Sequence, residues 1–432
     1  MFSKLKKFFK NLGPGIITGA ADDDPSGIAT YSQTGAQFGY GMLWTALFML
    51  PFQVGVQEAC ARIGAVTGKG IAANIKKLYG KKILYAVVFL LLVANTISIG
   101  ADIGAMAAAA NLIFPLGFIP LALTFTLIIL LLEIFTSYKV YSKILKWSVV
   151  TLLAYPVTVF MIDQPWMTIL AATFIPHIEF NFQFLFIITG VLGTTISPFM
   201  FFWQASSEIE EEKQSRFLKY DGKPWINKRF MRNLRLDNFV GMLSSEIGTW
   251  AIIVVAATVL NSHGITDIKT AADAASALEP LVNTFPNAGY LAKAIFAIGI
   301  IGLGFLSIPV LAGSAAYAVA ETFNLKEGLD LKFKKAHGFY GIIIASMLIG
   351  LLINFIGIDP IKALVYTAVI NGVVAVPLIF VIAKIAGNGQ ILGQYKSGKL
   401  SNFLIWTAFF GLGLAVIGMF LSLALPLLST FP

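Results

Sequence analysis

Long apolar stretches alternate with short polar ones along the whole chain. A helix that crosses a bilayer needs about 20 mostly apolar residues, and eleven stretches meet that requirement. They lie near 13–38, 42–65, 83–113, 117–136, 144–163, 184–207, 236–260, 289–321, 338–357, 362–386 and 402–428. The pattern therefore predicts an all-α integral membrane protein with eleven spans in one transmembrane domain.

Positive charge is concentrated in alternate loops. With an intracellular N-terminus, the inside loops and their short flanks hold 28 of the 31 Lys and Arg residues, and only Lys269, Lys293 and Lys362 lie outside. These inside loops are 1–12, 66–82, 137–146, 208–235, 322–337 and 387–401. Positive loops face the cytoplasm in membrane proteins, so we expect a plasma-membrane protein with a cytoplasmic N-terminus and an extracytoplasmic C-terminus. The net charge of +9 is thus explained by topology and does not indicate nucleic-acid binding.

Composition supports the membrane class. Charged residues make up 12% of the chain and hydrophobic residues 57%, whereas soluble domains average about 25% charged residues. The single cysteine, Cys60, rules out a disulfide framework and a thiolate metal cage. The start of the chain lacks a small-residue cleavage site, so we interpret residues 1–12 as a cytoplasmic amphipathic lead-in and not as a signal peptide.

Two spans carry matching interruptions. The first has IITG at 16–19 and then Asp24-Pro25, and the sixth has IITG at 187–190 and then Ser197-Pro198. Five spans separate the two copies, so they have opposite orientations. Paired interrupted helices in inverted halves indicate the substrate site of a transporter. We predict inverted repeats over approximately 13–163 and 184–386, with an extra helix at 402–428.

Three consecutive carboxylates precede the first break. A proline inside a helix removes a backbone donor and disturbs the preceding turn, so the chain is expected to unwind there. A carboxylate at that depth is functional by default, and free carbonyls at a half-helix end favour a cation. Asp24 is therefore a candidate ligand, or a cap of the second half-helix, and the two roles are compatible. Neighbouring residues do not share a helix face, so Asp23 is only a candidate supporting or pathway residue.

The second break offers oxygen donors. Thr194, Thr195, Ser197 and the carbonyls around Pro198 lie there, and no thioether or imidazole flanks the proline directly. Hard oxygen ligands with room for water suit Mg²⁺, Mn²⁺ or Ca²⁺ better than softer ions.

The stretch GPGIITGAADDDPSGIATYSQTGAQFGYGMLW, followed by EACARIGAVTGKG and later by NLIFPLGFIPL, resembles NRAMP divalent-metal transporters through most of the chain. That family has a DPGN motif in a broken helix 1 and an MPH motif in a broken helix 6, on a LeuT-type scaffold of the APC superfamily. The resemblance implies a LeuT-type inverted 5+5 repeat plus an eleventh helix. It also implies that Asp24 is a metal ligand.

Departures from the family pattern are informative. Gly27 stands where the family has Asn, Ser197 where it has Met, Phe199 where it has His, and Thr194 where it has a small residue. In span 3, Asp102 replaces a Glu and Ile99 replaces an Asp. The family's Met helps exclude Mg²⁺, and its His and acidic residues serve proton coupling. The pattern resembles the NRAMP-related magnesium transporter branch, which carries Mg²⁺ and Mn²⁺ without proton coupling.

Other polar residues have competing interpretations. Asp102 either assists ion or proton passage or has a structural role facing the cavity. Asn371 either hydrogen-bonds the unwound part of span 1 or makes a polar contact between helices. The acidic cluster at Glu208, Glu210, Glu211 and Glu212 is interpreted as a solvated helix end balanced by the basic loop that follows, with cation exit as the alternative. Glu133 is interpreted as an interfacial residue, and the three histidines show no ligand spacing.

These observations predict a carrier for Mg²⁺ and Mn²⁺ that works by alternating access and is not proton-coupled. Asp24, Gly27, Thr194 and Ser197 form the expected metal site, and Asp23, Asp102 and Asn371 are possible pathway or supporting residues. The ions are substrates, no cofactor is expected, and one chain in the lipid bilayer is expected to function as a monomer. Alternatives are a proton-coupled Mn²⁺/Fe²⁺ importer, an aluminium carrier, a sodium-coupled organic solute symporter of the same fold, and a channel. No catalytic motif indicates an enzyme.

Overall fold

A computed structural model describes residues 13–136, 154–214, 226–329 and 331–428 of the protein. Those residues form α-helices and short 3₁₀ turns, with no β-strand among them. The helices are α1 (Pro14–Asp22), α2 (Pro25–Phe38), α3 (Trp44–Thr67), α4 (Ile71–Asn111), α5 (Phe118–Phe135), α6 (Ala154–Met161), α7 (Trp166–Phe174), α8 (Phe182–Thr195), α9 (Pro198–Gln214), α10 (Lys228–Val259), α11 (Ala271–Ser276), α12 (Glu279–Val282), α13 (Ala288–Phe323), α14 (His337–Ile353), α15 (Pro360–Ala386), α16 (Gly389–Leu392) and α17 (Lys399–Leu428). The chain is therefore helical, as predicted.

Helices coincide with the predicted spans. Within the described ranges, seven helical segments are long and apolar enough to cross a membrane, or eight if the bent pair of α2 and α3 counts as one. The first predicted span consists of α1 and α2, and the sixth consists of α8 and α9. Of the fifth predicted span, 144–163, only the part from residue 154 lies within the described residues, as α6. The predicted inside loops 1–12 and 137–146 lie outside them.

Two local features differ from the simple pattern. The third predicted span begins at residue 83, but α4 extends back to Ile71 and is kinked at Gly80, whose φ of 77° is left-handed. Glycine adopts that conformation without the steric penalty of a side chain. Between the first and second spans, α2 and α3 meet at an angle of 107° across a 3₁₀ turn at Gly39–Met42.

Glycines bring helix backbones into direct contact around the two breaks. A Cβ at Gly19 would overlap the carbonyl of Gly241, so α1 lies against α10 without intervening side chains. A Cβ at Gly193 would overlap the backbone of α15 at Ala368 and Gly372. Small residues allow this close approach in helix pairs within membranes. The two broken helices are thus held against α10 and α15.

The broken sixth span lies at the centre of the molecule. Of the most apolar stretch of α8–α9, 89% is buried inside the protein. The corresponding stretch of α17 is only 22% buried. The eleventh predicted span is therefore peripheral, and the breaks lie in the interior.

Candidate functional site

The break in the first span is organised by Asp24. Helix α1 ends at Asp22, and Pro25 begins α2, with Asp24 in extended geometry as the N-cap. The backbone N–H of Gly27 donates to Asp24 Oδ1 at 2.7 Å, and the hydroxyl of Ser26 donates to the same oxygen at 2.6 Å. Asp before Pro favours a helix start because proline has no N–H to lose at the first position. The predicted capping role of Asp24 is therefore confirmed.

The break in the sixth span is organised by Ser197. Helix α8 ends at Thr195, Ile196 leaves helical geometry, and Pro198 begins α9. The hydroxyl of Ser197 is within hydrogen-bonding distance of two carbonyl oxygens of α8, at 2.7 Å for Gly193 and 2.8 Å for Thr194. A hydroxyl has one proton, so the two carbonyls share it. The carbonyls that end α8 are thus partly satisfied by the side chain at the break.

The two breaks face each other. A Cβ placed on Gly27 would lie 3.4 Å from the hydroxyl oxygen of Thr194 and 3.2 Å from the carbonyl oxygen of Asp22. Beside them, the hydroxyls of Tyr31 and Thr195 lie 3.1 Å apart. All of these residues are buried. The structure thus places Gly27 between Asp24 and Thr194, with Ser197 on the turn that follows Thr194.

The carboxylates of Asp22 and Asp23 point elsewhere. Asp22 Oδ2 accepts hydrogen bonds from the amide of Gln53 in α3, at 2.5 Å, and from the hydroxyl of Ser245 in α10. Asp23 Oδ2 lies beside Gly248 of α10, at 3.2 Å from the position of its missing Cβ. Both carboxylates therefore face α10, and Asp22 also contacts α3, whereas Asp24 is directed to the first turn of α2.

Sequence reasoning missed a further buried acid, Glu246 in α10. Its side chain is 4% exposed, and neither carboxylate oxygen has a hydrogen-bond partner among the described residues. It follows Ser245, whose hydroxyl donates to Asp22 Oδ2. The signal was present, because Glu246 interrupts the apolar stretch 236–260 just as Asp24 interrupts the first span.

The two possible supporting residues in spans 3 and 10 make contacts between helices. Asp102 is fully buried in α4 and accepts a hydrogen bond from the Ser307 hydroxyl of α13 at 2.6 Å. The amide of Asn371 in α15 donates to the Ser98 hydroxyl of α4 at 3.3 Å. The expected polar contact between helices is therefore formed at Asn371. Its Oδ1 has no partner in the part of the chain that the structure describes.

A line of polar side chains continues from the breaks along α1 and α9. The hydroxyl of Thr18 in α1 hydrogen-bonds the amide oxygen of Gln204 in α9, whose Nε2 donates to Glu208 Oε1 at 2.9 Å. Near the start of α1, Asp237 of α10 accepts from the backbone N–H of Gly13 at 2.8 Å. All four side chains are buried. This line of hydrogen-bonded side chains therefore runs from Thr18 in α1 to Glu208, at the start of the acidic cluster of α9.

The expectation of a solvated acidic helix end was wrong for most of that cluster. Glu208, Glu210 and Glu212 are only 5%, 7% and 3% exposed, and Glu211 alone is exposed. The reason is that α9 packs against α1, α3 and α13. The loop expected to balance the charge, 215–225, lies outside the described residues.

A further acid in the connection after α13 borders this cluster. Burial and, to a smaller extent, repulsion from Glu321 raise the pKa of Glu327 to about 8, although Lys213 opposes the shift.

Glu133, which was expected to be interfacial, is 4% exposed, and its carboxylate oxygens have no hydrogen-bond partner among the described residues. The described ranges contain no group of three or more His, Cys, Asp or Glu side chains suited to a metal ion. The breaks thus provide one carboxylate with hydroxyl and carbonyl oxygens.

Solved structures with the same fold are transporters. A crystal structure of a manganese transporter from Eremococcus coleocola is 17% identical, with a TM-score of 0.74, covering all of this chain and 90% of that one. MhsT, solved in complex with L-phenylalanine, is 13% identical with a TM-score of 0.55, covering 95% of this chain and 98% of its own. The chain therefore shares the LeuT-type helical membrane fold of these structures.

The sequence comparison identifies the family. The profile of the Nramp family, described as natural resistance-associated macrophage protein-like, matches residues 15–422. The chain belongs to this family. A relative from Caldanaerobacter subterraneus, the divalent metal cation transporter MntH, is 25% identical over 407 residues, covering 93% of this chain and 90% of the relative. A second protein with the same description, from Clostridium acetobutylicum, is 26% identical over 424 residues, covering 93% and 89%.

Proposed function

We propose that this protein carries Mg²⁺ and Mn²⁺ across the plasma membrane by alternating access around the two breaks, without moving protons. Membership of the Nramp family and the divalent-metal names of its relatives support cation transport. The observation that carries the choice of ion is the donor set at the breaks. It comprises the Asp24 carboxylate together with hydroxyl and carbonyl oxygens.

Each proposed metal-site residue has a distinct role. Asp24 supplies the negative charge, directly or through a water molecule that remains on the ion. Gly27 leaves space, because any side chain there would approach Thr194 and Asp22. Thr194 and Ser197 contribute oxygen atoms on the opposite side. Mg²⁺ loses its water reluctantly and usually retains several molecules, so a site with few protein ligands and extra room suits it.

Neither position 197 nor position 199 carries a soft donor, which supports Mg²⁺ and Mn²⁺ as the transported ions. Ser197 and Phe199 stand where the family pattern has a thioether and an imidazole, and Phe199 is buried. Thioethers select softer metals, whereas hydroxyl and carbonyl oxygens accept Mg²⁺ and Mn²⁺. Asp23, Asp102 and Asn371 are proposed as supporting residues. Ile99 is apolar and cannot exchange a proton at a position where the family has an acid.

Proton-coupled import of Mn²⁺ or Fe²⁺ is the second candidate. The buried carboxyl group of Glu246 favours it, because the metal site proposed above has no role for this acid. Both candidates place the cation at the same breaks. They differ in selectivity and in proton movement, so one flux experiment separates them.

Ion flux into proteoliposomes tests the proposal. Vesicles containing dyes for Mg²⁺, Mn²⁺ or pH are compared for the native chain, Asp24→Ala and Asp24→Asn. We expect entry of both ions without acidification, and near-complete loss in both variants. Asparagine caps helices about as well as aspartate but lacks the charge, so Asp24→Asn separates the ligand role from the cap. Transport that survives Asp24→Asn would reduce Asp24 to a cap.

The same flux experiment also tests ion selectivity and proton movement. Mn²⁺ entry that excess Mg²⁺ does not inhibit, accompanied by internal acidification, would replace the proposal with the proton-coupled alternative. One chain contains both breaks, so we infer that the monomer is the transporting unit. Reconstitution at less than one protein per vesicle tests that inference, because the fraction of active vesicles then follows the number of monomers.

A further inference from the structure

A basic cavity lies at one end of the molecule, apart from the two breaks. It has a volume of about 290 Å³ and lies between the first turns of α10 and the segment just before α17. Its lining comprises Lys228, Met231, Arg232, Arg235, Gln394, Tyr395 and Lys396. The hydroxyl of Tyr395 donates to the carbonyl of Ile226 at 3.2 Å, so the two walls are joined at one edge. Four of the seven lining residues are cations.

Most of this positive charge has no acidic partner among the described residues. Lys228, Arg232 and Lys396 are exposed, and none of them forms an ion pair with a carboxylate in those ranges. Arg235 is bonded to Glu58 of α3 at 3.1 Å, but its side chain remains 61% exposed. Three such cations around one concave surface create a strong local field that attracts anions. A phosphate group satisfies several such donors at once.

Apolar surface adjoins the cavity on both walls. Along α10, Leu236 and Phe239 follow the basic turns and are 48% and 43% exposed. Along α17, Leu400 and Phe403 follow Lys396 and are 71% and 64% exposed. Both helices are long and apolar enough to cross a membrane. These side chains therefore face the acyl chains of the bilayer, with the cations at the level of the headgroups.

The charge distribution assigns this end to the cytoplasmic side, because Lys228 and Lys396 belong to the predicted inside loops 208–235 and 387–401. Bacterial and other cytoplasmic leaflets contain anionic lipids, and basic pockets between helices on that side bind their headgroups. A soluble phosphate would use the cations alone. A phospholipid would use the cations and the adjoining apolar surface together.

We propose that the cavity binds the phosphate headgroup of one anionic phospholipid, with its acyl chains along the exposed apolar side chains of α10 and α17. The lipid would add a link between two walls that are already connected by the Tyr395–Ile226 hydrogen bond and through α3. Glu58 bonds both Arg235 of α10 and Arg62 of its own helix, and Arg62 donates to Ser397 beside Lys396 at 2.7 Å. The proposal does not depend on which ion is transported.

Lipid binding to the purified full-length chain tests the proposal. Native mass spectrometry compares phosphatidylglycerol with phosphatidylcholine of identical acyl chains, for the native chain, Arg232→Gln/Lys396→Gln and Lys334→Gln/Lys335→Gln. The last pair removes the same charge from exposed lysines elsewhere on the same predicted face. We expect one tightly held phosphatidylglycerol, a loss of affinity of about 10- to 30-fold in the cavity variant, and no change in the control.

Three outcomes would overturn the proposal. Equal binding of both lipids would show that the headgroup is not recognised, and unchanged binding in the cavity variant would place the lipid elsewhere. Displacement of the lipid by millimolar inorganic phosphate would identify a soluble anion as the ligand instead. If the double variant does not fold, Lys228→Gln at the exposed first residue of α10 serves in its place, with a smaller expected loss of about fivefold.

Discussion

The carboxylate of Asp24 combines a local structural role with the proposed ionic one. Its Oδ1 accepts hydrogen bonds from Gly27 and Ser26, so the side chain is oriented by the first turn of α2. A ligand whose direction is already fixed loses little freedom when an ion arrives. Both roles could be predicted, because an Asp-Pro pair inside an apolar stretch interrupts the helix and also places a charge at membrane depth.

Replacing Ser197 by methionine tests the selectivity argument. The variant Ser197→Met introduces a thioether at the break, and we expect Mg²⁺ transport to fall at least tenfold while Mn²⁺ transport is retained, since a soft donor replaces an oxygen. Flux of both ions in proteoliposomes measures the ratio. The control Ser197→Val removes the hydroxyl without adding sulfur. An equal fall of both ions in Ser197→Met would indicate steric damage and contradict the selectivity role of this position.

At the scale of helices, the breaks are positioned by backbone contacts as much as by side chains. Gly19 and Gly241 join α1 to α10, and Gly193 and Gly372 join α8 to α15. The prolines that interrupt the helices could be recognised in the sequence. The glycine pairs could not, because spacing along one helix does not show which residue of another helix it meets.

Glycine 193 provides a test at this scale. In Gly193→Ala, the new methyl group would overlap the Ala368 carbonyl, so α8 must move away from α15. We expect the unfolding free energy to fall by about 1–3 kcal/mol and transport to fall with it. Thermal unfolding in detergent measures the loss. Gly411→Ala in α17, where a Cβ meets nothing within 4 Å, is the matched control and should lose no stability. Equal stability of both variants would contradict the close packing of α8 on α15.

Burial of acids was the feature that sequence reasoning described least well. Glu208 and Glu212 looked like a solvated helix end, and Glu246 was overlooked, although all three are enclosed by other helices. Burial depends on neighbours from distant parts of the chain, such as Gln53 of α3 and Ser245 of α10 beside Asp22. Helix positions follow from apolar length, whereas the partners of a polar side chain follow from packing. The first could be predicted from this sequence and the second could not.

At the scale of the whole molecule, the distribution of basic residues predicts which face is cytoplasmic. Lys269 lies in an outside loop by that criterion and Lys334 in an inside loop, and both are exposed. The single native cysteine, Cys60, is fully buried, which allows labelling of introduced cysteines against a low background.

The orientation can be measured on intact cells. In a Cys60→Ser background, we expect a membrane-impermeant maleimide to label Lys269→Cys at once and Lys334→Cys only after permeabilisation, because the basic loops remain inside. Each variant is also labelled after denaturation, which gives the reference for complete labelling. Immediate labelling of Lys334→Cys with protection of Lys269→Cys would reverse the assigned orientation, and with it the side of the membrane on which the basic cavity opens.

The glycine contacts also divide the molecule into pieces that move together. Backbones in direct contact cannot slide without separating, so α1 should travel with α10, and Gly35 attaches α2 to the same helix at Ile253. The sixth span is different. Gly193 packs α8 against α15, whereas Gly64 of α3 lies against Ala205 of α9. If transport proceeds by the proposed alternating access, we expect the first span to move with α10, and we expect the sixth span to bend at Ser197 and Pro198, where its two halves pack against different helices.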